Sequence, residues 1–293
     1  MINQRTILAP TSFEGIGLHT GKHCKVVLRP SGEDTGIVFF RTDRGIMIKL
    51  HPLAVVDTSF ATTIGYNGTR IKTIEHLLAA LSALEIDNIA IDIHGPEIPA
   101  CDGSSLYLAQ ILMNAGIYTQ RAPKKILEIT RPFFFMDGLA SISALPHHGR
   151  RFSQHIEFNN QFLGKQEYSL DLTPEAFIRE IAPARTFGFL KDVEMLRKNG
   201  LARGGSLDNA VVIDGDQVLN PSGLRYSDEF VRHKILDCIG DLYLCGLYIR
   251  GHIVAERSGH SSNVKFLRSL LSSPEHFTLK YTEAAPECVP AQI

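Results

Sequence analysis

The stretch VRHKILDCIGDLYLCGLYIRGHIVAERSGHSSNVKFLRSLLSS, residues 231–273, has a counterpart in the first half of the chain, and the pairing decides the fold. Residues 231–244 carry apolar side chains at helical spacing without a Pro, and LYIRGHIVAE (247–256) reads as a strand. SGHSSN (258–263) then makes a turn, and VKFLRSLLSS (264–273) is helical again. Earlier, IEHLLAALSAL (74–84) predicts a helix, NIAIDI (88–93) a strand, CDGSS (101–105) a turn and LYLAQILMNAG (106–116) a helix. His76 and Asp102 are 26 residues apart, and His233 and His260 are 27 apart. The order and spacing indicate an internal duplication. Strands mixed with helices, without regular alternation, indicate an α+β fold: two layered α/β sandwiches of similar topology. Two such halves facing each other would bring His76 and His233 together.

The chain divides most naturally at YTQRAPKK (118–125), where a helical pattern ends and a Pro stands among basic residues, giving domains 1–122 and 123–293. Each half holds a segment the other lacks, which marks a small insert. In the first it runs from about Gly36 to Thr63. In the second it is RTFGFLKDVEMLRKNGLARGGSLDNAVVID, an insert over about 184–213 that reads as strand, helix and strand, with Gly200 as the helix C-cap.

Composition excludes several classes. Hydrophobic residues make up 44% of the 293, enough for sizeable cores, and a formal net charge of -1 supplies no basic field for a nucleic-acid backbone. The cysteines, Cys24, Cys101, Cys238, Cys245 and Cys288, are odd in number and never spaced C-x-x-C. That argues against a disulfide framework and against a thiolate zinc site, and fits a reducing cytoplasm. No signal-peptide core opens the chain, and no apolar run approaches the ~18 residues of a membrane span. A soluble, cytoplasmic protein is expected.

In the first predicted helix of 231–273, His233, Asp237 and Asp241 follow one another at four-residue steps and share one face. Such a row is often a solvated surface. An imidazole and a carboxylate one turn apart can also grip a divalent ion, and His with Asp suits zinc or iron(II). Glu75 and His76, at the start of the earlier helix, place a possible ligand beside a possible base, although H-E-x-x-H is not satisfied. With His233 and Asp237, His76 completes a His, His, Asp set that leaves one position open, as catalytic zinc requires. Thr186 in ARTFGF and His260 in SGHSSN offer a hydroxyl to an oxyanion and a proton to a leaving group, or are plain loop residues. The glycines of GIGLHTGKH (15–23) fit neither phosphate-loop pattern and read as a tight turn presenting His19.

Seven blocks occur in order: GIGLHTG, TIEHLLAAL, IDNIAIDIHGPEIPACDGSS, ARTFGF, GLARGGSLDNAVV, DEFVRHKILDCIGDL and SGH. Together they resemble the UDP-3-O-acyl-N-acetylglucosamine deacetylases, the zinc amidases of lipid A synthesis in Gram-negative bacteria, over nearly the whole chain. The resemblance implies one zinc ion on His76, His233 and Asp237, with Glu75 as general base. It further implies Thr186 as oxyanion donor, His260 as proton donor and Asp241 as the carboxylate orienting His260. His19, Lys234, Phe187 and Phe189 would contact an acylated UDP-N-acetylglucosamine, the second insert guiding its acyl chain. Arg257 stands where a Lys commonly meets substrate phosphate, and the two are not interchangeable. A monomer is expected. Alternatives are a zinc amidase for another N-acetyl sugar, against which the apolar insert argues, and a non-catalytic sugar-nucleotide or lipid binder, against which the retained Glu75 and ligands argue.

Overall fold

The computed structural model describes residues 3–160 and 162–282. In the first half, five strands form a sheet in the order Thr11–Ile16, His23–Pro30, Ile89–His94, Ile37–Arg41, Ile46–Lys49. In the second half the corresponding order is Phe133–Asp137, Ala140–Leu145, Tyr248–Glu256, Arg150–Glu157, Lys165–Asp171. Each sheet is centred on the strand that follows a histidine-bearing helix. That strand runs antiparallel to one hairpin and parallel to the other in both halves, so the duplication recurs in the topology. Tyr248–Glu256 also pairs at its first end with Lys125–Ile129, whose far edge takes Phe277–Tyr281.

The strands alternate as one-sided sheets do: His23–Pro30 buries Cys24, Val26 and Leu28, and Arg150–Glu157 buries every second residue. The helices differ. All nine residues of Glu75–Ala83 are buried, the mark of a core helix covered on every side. Glu229–Leu242 packs directly on it, and apolar side chains from both halves merge into one continuous core. The crossing is close at Gly240, where an added Cβ would fall 2.1 Å from the carbonyl oxygen of Glu75. Glycine there lets the two helices approach until their polar residues meet.

Four local expectations need correction. The presumed linker is a strand, Ile117–Pro123, paired with Asn3–Ile7, and the adjoining Lys124 is buried on Asp87. The segment from Gly36 to Thr63 is not one insert, because Ile37–Arg41 and Ile46–Lys49 form a hairpin of the main sheet with a counterpart in the second half. What is additional is the three-stranded sheet Val55–Asp57, Thr63–Tyr66, Thr69–Ile71. SGHSSN is only partly a turn, since its His260 already opens the helix His260–Leu271. The second insert is strand, helix and strand as expected, with Phe187–Phe189 parallel to Val211–Asp214 around Leu190–Lys198. It continues through Gln217–Val218, past the expected end. Among the described residues no helix is long and apolar enough to cross a membrane, and Cys24, Cys101, Cys238 and Cys245 are free thiols. Cys288 lies outside the described residues.

Candidate active site

The row His233, Asp237, Asp241 is not a solvated face: each residue is at most 3% exposed. The helix Glu229–Leu242 turns His233 and Asp237 toward His76, across the crossing at Gly240. The rings of His76 and His233 lie 5.0 Å apart, edge to face. The Asp237 Oδ1 atom is 3.4 Å from Nε2 of His233 and 3.8 Å from Nε2 of His76. One donor atom from each of the three lies within 4.8 Å of the others.

The donor set fits a divalent cation. Oδ1 of Asp237 is buried without a hydrogen-bond partner, an expensive state for a carboxylate oxygen unless a cation meets it. Nδ1 of His233 lies 3.0 Å from the carbonyl of Ala184, which fixes the ring with Nε2 facing the site. Burial, then the neighbouring His233, pulls the His76 imidazole down to about 3, and burial lowers His233 as well. Both rings therefore keep free lone pairs at neutral pH. Burial alone would raise the Asp237 carboxyl, but Lys234, His233, His260 and His76 hold it far below the usual carboxylate range. Lys234 Nζ donates to Oδ2 at 2.8 Å, leaving Oδ1 for a cation.

Two proton-carrying groups flank this set. Glu75, in the first turn of its helix, is buried, and the backbone N–H of Thr62 donates to its Oε2 at 3.1 Å. Burial pushes its carboxyl up to about 8; His260 opposes the shift, and Asp241 and Asp237 add to it. Positive charge gathered at the His76, His233, Asp237 set would draw it back down. His260 presents Nε2 3.8 Å from Oε1 of Glu75 and 4.0 Å from Oδ2 of Asp237, while its Nδ1 lies 2.9 Å from Oδ2 of Asp241. Burial works against its charge, but Asp241, Asp237 and Glu75 outweigh burial and raise the imidazole to about 9.

A cavity of about 360 Å³ opens onto these groups. Glu75, His76, His233, Asp237, His260, Thr186, His19, Lys234, Phe187 and Arg257 line it, so the sequence expectations converge on one place. Two residues lie outside the lining. Asp241 is fully buried behind His260, and Phe189 packs at a tilt on the lining residue Phe158. The segment carrying Thr186, just ahead of the strand Phe187–Phe189, is tied down by its neighbour Arg185, whose buried guanidinium grips both oxygens of Glu229 at the helix start. Phe158 and Phe187 form an apolar side wall, with Phe230 behind them. Arg257 reaches the cavity from a left-handed backbone position and pairs with Glu157.

Sequence reading missed three contributors. Asn263 donates to Oδ2 of Asp241 at 2.9 Å; its position three residues after His260 on one helix was a usable sign. Glu97 takes the backbone N–H groups of His19 and Thr20 and the hydroxyls of Thr20 and Thr73, which shapes the turn presenting His19. Thr62 supports Glu75 and, through its hydroxyl at 2.5 Å, Asp241. Nothing near it in the sequence marked either.

Two imidazoles and a carboxylate drawn together, with the buried Glu75 carboxyl and the Asp241-held His260 imidazole beside them, are the equipment of a hydrolase that works with a divalent cation. The family described as UDP-3-O-acyl N-acetylglycosamine deacetylase matches residues 4–272. A UDP-3-O-acyl-N-acetylglucosamine deacetylase of Nitratidesulfovibrio vulgaris is 49% identical over 271 residues, covering 92% of this chain and 88% of its own. That of Oleidesulfovibrio alaskensis is 49% identical over 284 residues, covering 96% and 93%. That of Myxococcus xanthus is 46% identical over 279 residues, covering 94% and 89%. The chain belongs to this deacetylase family.

Proposed function

We propose that the chain removes the acetyl group from a UDP-3-O-acyl-N-acetylglucosamine, in the cytoplasm and as a monomer, with one zinc ion held by His76, His233 and Asp237. Two imidazole nitrogens and one carboxylate oxygen, with no thiolate, suit zinc with a coordination position left open. An ion held by these three residues would supply Lewis-acid polarisation of the amide carbonyl and of the water.

The protein's own groups move the protons. Glu75 takes one from the water as its oxygen adds to the acetamide carbon. Thr186, at the cavity wall, offers its hydroxyl to the oxyanion that develops on the carbonyl oxygen. His260, held as imidazolium by Asp241, gives its proton to the departing nitrogen as the C–N bond breaks, leaving acetate and the sugar amine. Lys234 stays on Asp237 at the same wall, within reach of the reacting centre. Phe187, Phe158, Leu18 and Phe60 give the cavity the apolar surface an acyl chain needs. His19 and Arg257 supply polar contacts, and Phe189 packs on Phe158.

The observation that carries this reading is that Glu75 and His260 meet, Oε1 to Nε2 at 3.8 Å, beside a His76, His233, Asp237 set whose Asp237 Oδ1 is buried without a partner. It is tested with purified protein and acyl-UDP-N-acetylglucosamines of several chain lengths, measuring acetate. Release from an acylated substrate and little from UDP-N-acetylglucosamine itself is expected. No acetate from any of them overturns the reading.

A further inference from the structure

Every polar atom of Thr62 is engaged with the machinery just described, although Thr62 lines no part of the cavity and is fully buried. Its backbone N–H donates to Oε2 of Glu75 at 3.1 Å. Its carbonyl accepts the N–H of Ile74, the residue that opens the Glu75–Ala83 helix, at 3.3 Å. Its hydroxyl donates to Oδ1 of Asp241 at 2.5 Å, across a sequence distance of 179 residues and from the opposite half of the molecule. Asp241 in turn receives His260 and Asn263 on its other oxygen. One residue thus touches the support of both proton-carrying groups.

We infer that Thr62 is a positioning residue that fixes the proton donor relative to the base: its amide holds Glu75, and its hydroxyl holds the Asp241 carboxylate that orients His260. The inference rests on the roles proposed above for Glu75 and His260. A carboxylate can swing about its Cβ–Cγ bond, and Asn263 and His260 both pull on Oδ2 alone. Among the described residues it is the Thr62 hydroxyl that donates to Oδ1, so it sets the plane of the carboxylate and with it the direction in which His260 points its Nε2. The segment Val55–Ile71, which adds a small sheet to the first half, then has a use: it runs from Phe60 at the cavity wall to Thr62, whose hydroxyl reaches Asp241 in the other half. Thr62 touches no substrate, so its loss should act on turnover more than on binding.

The test compares Thr62→Val and Thr62→Ser in metal-loaded enzyme. Losing a hydrogen bond to a buried charged group corresponds to a roughly 10- to 100-fold effect. Thr62→Val is expected to lose that much in kcat with KM changed less than about threefold and metal content unchanged, while Thr62→Ser returns to within about fivefold of the parent. In an Asp241→Asn background the Val substitution should add little, because the hydroxyl acts through that carboxylate. If Thr62→Val folds poorly, the Ser and Ala variants, which differ by the hydroxyl alone, make the same comparison. A Val or Ala variant as fast as the Ser variant, or a loss that is undiminished in the Asp241→Asn background, overturns the inference. Glu75→Gln and His260→Gln are run alongside. If those two keep normal turnover, the proposed mechanism itself fails; if they are inactive and Thr62→Val is normal, only the role of Thr62 fails.

Discussion

Nδ1 of His260 lies 2.9 Å from Oδ2 of Asp241, and the imidazole so held is the first residue of the helix His260–Leu271. A helix N-terminus disfavours a cation. The charge on His260 therefore depends on the carboxylates facing it, Asp241 first, then Asp237 and Glu75.

Asp241→Asn removes the largest of these. The His260 pKa should fall, so turnover that requires imidazolium should be lost at lower pH than in the parent, moving the alkaline limb of the rate profile to lower pH. A loss of at least about tenfold at neutral pH, with metal retained, should accompany the shift. The measurement is kcat against pH on metal-loaded protein. A limb that stays in place, or moves to higher pH, contradicts the support of His260 by Asp241.

Glu75→Ala should lower turnover by about 10²-fold or more and leave the metal in place, since the Glu75 carboxylate stands beside the His76, His233, Asp237 set and not within it. Metal analysis of the purified variant separates a base from a ligand. Protein stripped of metal would make Glu75 a ligand.

Gly240→Ala should force the two central helices apart, because the new methyl would meet the Glu75 carbonyl. Overpacking of this kind costs roughly 1–3 kcal/mol. Urea unfolding reads the stability loss, and activity should fall by more than the fraction unfolded explains, since Glu75 moves with its helix. A variant as stable and active as the parent would show that the crossing tolerates a side chain.

Away from the site, the hydrogen bond from Arg41, with help from the Arg41 charge, holds the Asp43 carboxyl down to about 2 against the effect of burial. A depressed folded-state pKa stabilises above the ordinary Asp pKa of about 3.9, and that stability is lost as pH falls toward 2. Asp43→Asn should therefore destabilise at pH 7, by about 1 kcal/mol or less because the Asp43 end of the pair lies in solvent, and the difference should shrink below about pH 4. Urea titrations at pH 7 and pH 3.5 check it; an equal difference at both would remove the ion pair as its cause.

The helix–strand–turn–helix units were legible because each is contiguous and its periodicity is local. The exchange of hairpins around the central strands was not, since Ile37–Arg41 meets Ile89–His94 and Arg150–Glu157 meets Tyr248–Glu256 only after long excursions. YTQRAPKK looked like a linker because its partner strand, Asn3–Ile7, stands at the other end of the half. At the site, His233 and Asp237 announced themselves by spacing and Glu75 by adjacency to His76. The burial that gathers a polar helix face into a His, His, Asp cluster came only with Glu75–Ala83 packed upon it. Thr62 had no signal at all, because a threonine hydroxyl shows its purpose only when its distant acceptor is in place.

The central claim is that His76, His233 and Asp237 hold one ion on which deacetylation depends. The most direct measurement is acetate release from an acyl-UDP-N-acetylglucosamine as zinc is titrated into chelator-stripped protein, with bound metal measured alongside. The predicted result is negligible turnover without metal, a rise that breaks at one zinc per chain, and no rise for His233→Ala. Full activity in metal-free protein, or restoration unaffected by loss of His233, would contradict it.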